Sequence, residues 1–195
     1  QDPHLTQFYA APLQLNPALT GVMKGNYRGS FLYRSQWGEV LRDESTNQFR
    51  TMTASADLRI PIKNNALGIG IQMLNDKAGQ SDLATTRAGL ALSYQQSVDR
   101  WHHHYVVLGL QADFIQRSFS IDGLRFGNQW NGVSYDPSLV QDNPAYLATL
   151  SQQRTFFDAS AGLLYFMRGR NKRTTAYAGF SAQHVNMPNE SFGGN

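Results

Sequence analysis

The sequence predicts an all-β chain: antiparallel strands forming a transmembrane outer-membrane β-barrel, preceded by a short N-terminal segment. Three observations carry this. Apolar and polar residues alternate with period two in six clear stretches, each of about ten residues, the length of a membrane-crossing strand. The face opposite each apolar stripe carries charges in mid-strand. The longest apolar runs, such as 105–110, fall far short of the ~18 residues that a spanning helix needs.

Composition agrees. Hydrophobic residues make up 41% of the 195 residues and charged residues only 16%, below the usual share of about 25%. The formal net charge is +3. The basic residues are scattered, so no nucleic-acid stripe is present and no nucleic-acid partner is expected. There is no cysteine, which fits an envelope protein that needs no disulfides. The chain opens at Gln1 rather than Met, which reads as a mature terminus left after removal of a signal peptide. A lipid anchor is not expected there, because the residue is not Cys.

Segment 1–23 precedes the first strand, and 24–195 forms the barrel. The segment carries six apolar anchors, Leu5, Phe8, Tyr9, Leu13, Leu15 and Leu19, too many for an inert tail. Pro3, Pro12 and Pro17 break it into short pieces. "NPALTG" at 16–21 reads as a capped helical turn, with Asn16 as N-cap, Pro17 at the first position and Gly21 as terminator. Two roles stay open: a plug in the base of the barrel, or a docking strap for a periplasmic partner or a secreted cargo. Phe8 and Tyr9 are neighbours in an extended piece, so their rings should point oppositely, one to the barrel and one to a partner. Phe8, Tyr9, Asn16 and Pro17 are the candidate partner-binding residues.

The strands follow in order. In 27–37, Tyr27, Phe31, Tyr33 and Trp37 oppose Arg28, Ser30, Arg34 and Gln36. In 50–60, Met52, Ala54, Ala56, Leu58 and Ile60 oppose Thr51, Thr53, Ser55, Asp57 and Arg59. In 66–75, Leu67, Ile69, Ile71 and Met73 share a face, as do Ala88, Leu90, Leu92 and Tyr94 in 86–94. In 105–117, Val106, Leu108, Leu110, Ala112 and Phe114 oppose Gly109, Gln111 and Asp113. In 156–167, Phe157, Ala159, Ala161, Leu163, Tyr165 and Met167 oppose Asp158, Ser160 and Gly162. Stretch 175–185 is a weaker seventh strand with no clear facing.

Alternation alone does not separate a soluble sandwich from a barrel. A sandwich hides its apolar face inside; a membrane barrel turns it to lipid and its charges to a wet lumen. Strand length, small residues on the polar face and aromatics near strand ends (Tyr27, Trp37, Tyr94, Trp101, Tyr105, Tyr177) favour the barrel. Its lumen would be lined by Arg28, Arg34, Asp57, Arg59, Arg87, Asp113 and Asp158, where acids and arginines can pair. Connections at 61–65, 95–104 and 168–173 are short. Those at 38–48, 76–85 and 118–155 are longer. Barrels have short periplasmic turns and longer outside loops, so the N-terminus is expected on the periplasmic side and 118–155 outside the cell.

Other sites are weak. In "WHHH" at 101–104 only His102 and His104 could share a face, with no third ligand evident. No metal, no cofactor and no catalytic residue is expected, since no nucleophile–base motif occurs.

The opening "QDPHLTQFYAAPLQLNPALTG" resembles the N-terminal signature of the PorP/SprF family of the type IX secretion system, found in Bacteroidetes. "YRSQW" (33–37), "GIGIQMLNDKAG" (68–79), "GLQADFIQRSFSIDGLRF" (109–126), "YDP" (135–137), "FFDASAGLLYF" (156–166) and "GFSAQHVNMPNESF" (179–192) are similar to family segments, in order. The resemblance implies a non-enzymatic outer-membrane barrel that serves secretion of particular surface proteins. Those cargo proteins bear a C-terminal sorting domain and include adhesins of gliding relatives. It also implies contact with the periplasmic ring and motor parts. A passive porin or solute transporter is the alternative. Family members run longer, and a barrel needs an even number of strands, at least eight. Further C-terminal strands are therefore expected, with closure by another chain as the alternative.

Overall fold

The computed structural model describes residues 7–36, 49–78, 83–120, 127–134, 136, 153–169 and 175–192. Seven strands form one antiparallel half-barrel sheet, each paired with its sequence neighbours, in the order β1 to β7. They are β1 (Tyr27–Gln36), β2 (Phe49–Ile62), β3 (Asn65–Ala78), β4 (Leu83–Ser97), β5 (His104–Ser118), β6 (Gln153–Arg168) and β7 (Thr175–Ala182). Among the described residues no helix is long and apolar enough to cross a membrane.

The facing is inverted relative to a soluble domain. Phe31, Leu90, Leu108, Leu110 and Phe114 stand out from the sheet, each about 60% exposed or more. Thr53, Asp57, Gln72, Ser93, Gln111, Asp113, Asp158 and Ser160 are buried on the other face. A contiguous apolar surface of this extent is a surface for another phase or partner, and on a sheet whose other face is polar that phase is lipid.

Strands β2 to β6 run 14 to 16 residues, longer than the ten expected and longer than a bilayer requires. The excess comes from polar residues that read as loop. Asp76 accepts from the Thr51 hydroxyl at 2.6 Å, and the Asn75 amide donates to Thr86 at 2.9 Å. These cross-strand bonds hold "NDK" in the ladder. The connection expected to be long at 76–85 is therefore short: β3 ends at Ala78 and β4 resumes at Leu83. The turn at 63–64 and the connection at 98–103 are short as expected. Trp37 and most of the long stretch 118–155 lie outside the described residues.

Tyr105 departs from the expected outward girdle. It faces inward and stacks on Phe166, ring centroids 4.8 Å apart. With Val107, Leu164 and Ala18 it forms an apolar core on the concave side. The inner face thus changes from polar to apolar toward the short-turn end. The doubled apolar residues of "YVV" and "LLYFM" are the trace of that change.

Candidate functional site: the seated N-terminal segment

The segment before β1 lies on the concave face. A 3-10 turn at Phe8–Ala10 leads into a single helical turn, α1 (Pro12–Leu15), and a second 3-10 turn at Pro17–Leu19. Prolines open both later turns, where a missing N–H costs nothing. Asn16 Oδ1 accepts from the Ala18 amide at 2.8 Å, capping the second turn. Gly21, at φ +69°, ends it in a conformation that favours glycine.

The wall is shaped to receive this piece. Glycines on the inner face of β3, β5 and β6 lie against it, so its backbone packs on the sheet with no side chain between. A Cβ on Gly109 would overlap the Ala18 amide, and one on Gly162 the Asn16 side chain. A Cβ on Gly70 would stand 2.8 Å from Leu13 Cδ2. A close approach of a second backbone is the usual reason for glycine inside a strand.

Hydrogen bonds fix the segment to most of the sheet. Asn16 Nδ2 donates to the carbonyls of Phe180 and Leu163 at 3.2 and 3.4 Å. The Ser93 hydroxyl donates to the Thr20 carbonyl at 2.6 Å. Gln14 Nε2 donates to the Thr53 hydroxyl at 2.6 Å, and Ser181 and Gln183 donate to the carbonyls of Leu15 and Gln14, each at 3.1 Å. The Gly21 amide donates to Asp57 at 2.7 Å. Arg28 grips the same carboxylate through Nε and Nη2 at 2.9 and 2.7 Å and donates to the Leu19 carbonyl at 3.0 Å. Leu13, 1% exposed, adds about 1.5–3 kcal/mol by burial.

The candidate partner-binding residues divide. Asn16 and Pro17 are buried against the chain's own wall. Tyr9 is 68% exposed. Phe8 and Tyr9 lie in a 3-10 turn rather than the expected extended piece, so strand alternation does not set their rings apart; the Phe8 side chain lies outside the described residues. The lumen candidates Arg28, Arg34, Asp57, Arg59, Arg87, Asp113 and Asp158 all lie on the concave face, half-buried or buried. They do not form one ladder. Of these seven, the structure brings Arg28 and Asp57 together as an ion pair.

Asp113 is held by amides instead, accepting from Gln111 at 2.7 Å and Gln72 at 3.0 Å. It stands directly opposite Asp158 on β6. Asp158 lies 3.1 Å from His184 Nδ1. Two facing acids disfavour the pairing; the two amides offset this at Asp113, whereas the buried Asp158 carboxylate makes no hydrogen bond among the described residues. The sequence reading does not single out Gln72, His184 or Gly70, and it places Gln111, Gly109 and Gly162 on the polar face without a role. The glycines had a legible signal: they fall on the polar face among small residues.

The "WHHH" histidines are engaged separately. His102 Nδ1 meets the Ser97 hydroxyl at 2.7 Å, and His104 Nδ1 meets the Tyr165 hydroxyl at 2.6 Å.

The arrangement binds a segment, orders a wall and fills the concave side at the level of that segment. No curated protein and no solved structure matches the chain. A family does: type IX secretion system membrane protein PorP/SprF, over residues 1–195. The whole chain is covered by a family of membrane components, in keeping with an apolar outer face and a polar inner one. The chain belongs to the PorP/SprF family of type IX secretion system membrane proteins.

Proposed function

We propose that this chain is a non-enzymatic outer-membrane platform that supports secretion or surface retention of cargo proteins bearing a C-terminal sorting domain. It does so in contact with the periplasmic secretion or gliding machinery. Adhesins are the cargo class that the family resemblance brings forward. The observation that carries this over the passive-porin reading is the seated segment. A solute pore needs an open path, and here residues 10–22 occupy the concave side, packed on glycines and bonded to β2, β4, β6 and β7. We place the N-terminus and the short turns in the periplasm, so the exposed Tyr9 faces the machinery. Site-specific photo-crosslinking from position 9 in living cells tests this. The expected products are adducts with secretion-system or cargo proteins. Adducts confined to residues of the chain's own barrel would contradict the docking role.

A further inference from the structure

We propose that the rim at the 98–103 turn holds one phosphate-bearing lipid headgroup. A cleft of about 300 Å³ opens there, lined by Trp101, His103, His104, Met167, Arg168 and Gly169. That volume is at the lower end for small-molecule sites and suits a headgroup rather than a bulky solute.

The cleft is built rather than incidental. Asp99 Oδ1 accepts from the amides of His103 and His104 at 2.8 and 3.0 Å. The His103 carbonyl accepts from the Arg168 amide at 2.7 Å, and the Val98 amide donates to the His104 carbonyl at 2.9 Å. His102 sits at φ +56°, fixed through Ser97. The turn is therefore tied to β4, β5 and β6 at once. Asp99 is the acid nearby, 3.8 Å from His103 Nδ1. Asp99 keeps its negative charge on the His103 side of the turn, and Arg168 supplies the permanent positive charge among the residues that line the cleft.

Register says what lies below. His104 pairs with Met167, Val106 with Tyr165, Leu108 with Leu163 and Leu110 with Ala161. All point to the apolar side. At about 3.3 Å per residue, the step from His104 to Leu108 is about 13 Å of strand. So the surface passes from a cationic, imidazole-bearing cleft, through a tryptophan and a tyrosine, to bare leucine within one lipid length. An aromatic belt followed by an aliphatic band is the profile of a membrane interface. A diacyl lipid fits both ends: its phosphate against Arg168 and the imidazoles, its chains along Leu108, Leu110 and Leu163. A free phosphate satisfies the cleft alone.

The test uses the full chain extracted in detergent, with lipids counted by native mass spectrometry. Its probes are dioleoylphosphatidylglycerol, dioleoylglycerol, which lacks the phosphate, and inorganic phosphate as competitor. One phosphatidylglycerol should be retained and dioleoylglycerol should not. Inorganic phosphate at equal concentration should leave the lipid in place. Arg168→Gln should lower occupancy about fivefold, the factor that goes with one cation at an anionic lipid surface. Met73→Leu, on the outer face of β3 and away from the cleft, should retain the lipid. Heat-modifiable migration of each variant reports that the barrel is folded; should Arg168→Gln fail it, Trp101→Leu, expected to weaken the lipid, takes its place. Equal retention of dioleoylglycerol, displacement by inorganic phosphate at equal concentration, or unchanged occupancy in the folded variant would overturn the proposal.

Discussion

Gly109 on β5 lies directly beneath Ala18, so close that any Cβ there would overlap the Ala18 amide nitrogen. The seat is thus defined by missing atoms. Gly109→Val should unseat the segment while the strands, bonded to each other, remain. The chain has no cysteine, so Ser93→Cys, buried under the Thr20 carbonyl, reports the event cleanly. Maleimide labelling should be slow in the reporter alone and fast with Gly109→Val added. Gly29→Val, where a Cβ meets nothing within 4 Å, should leave it slow. Slow labelling with Gly109→Val would contradict the seat.

The two sheet faces should respond oppositely to charge. Leu110, 66% exposed on the outer face, becomes a cation in lipid when changed to Arg. A cost of about 2–4 kcal/mol is expected near the bilayer midplane. Ser55→Arg on the concave face loses the 2.7 Å bond to Ser30, worth about 1 kcal/mol. Folding titrations into lipid vesicles measure both. Equal penalties would remove the membrane reading.

Asp57 joins the segment to the wall through Gly21 and to β1 through Arg28. Asp57→Ala leaves both donors without this acceptor. Arg28 keeps access to water at 27% exposure. The loss should therefore be about 2 kcal/mol, below the 3–5 of a fully buried pair. Asp57→Asn should lose less, since one acceptor oxygen remains. Urea unfolding in vesicles gives the comparison, and a larger loss for Asn than for Ala would count against this geometry.

The strands were legible because period two survives in them almost unbroken, and a membrane inverts facing without altering the period. Asn16, Pro17 and Gly21 were readable as a turn because their backbone preferences are local. The seat was harder. Whether Asn16 meets a partner or its own wall depends on Leu163 and Phe180, more than 140 positions away, and alternation carries no such pairing. Charges misled in the same way. Arginines and acids on one face suggested a ladder, yet Asp113 is held by Gln72 and Gln111, uncharged side chains that composition does not mark. Loop 76–85 failed because Asn75 and Asp76 look like turn residues until their partners on β4 and β2 are known.

Asp99 makes the 98–103 turn sensitive to pH. Burial alone would raise its carboxyl. The amides of His104 and His103, and then the charge on their imidazoles, outweigh this and hold it below the usual value. A carboxyl lowered in the folded state stabilises the turn above its unfolded value of about 4. That contribution is lost as pH falls through the lower, folded value. Protection of the His103 and His104 amides, taken relative to an unfolded chain at the same pH, should therefore stay high at neutral pH and fall only under acid below the usual carboxylate range. In Asp99→Ala it should be low throughout. Protection that does not change with acid would rule out this role.

The most direct measurement is a quantitative proteome of the cell surface and medium in a strain lacking this chain, with and without the restored gene. Selective loss of proteins that carry a C-terminal sorting domain is expected, reversed by the gene, with uptake of small solutes unchanged. An unaltered secreted proteome together with reduced solute uptake would contradict it and return the chain to the porins.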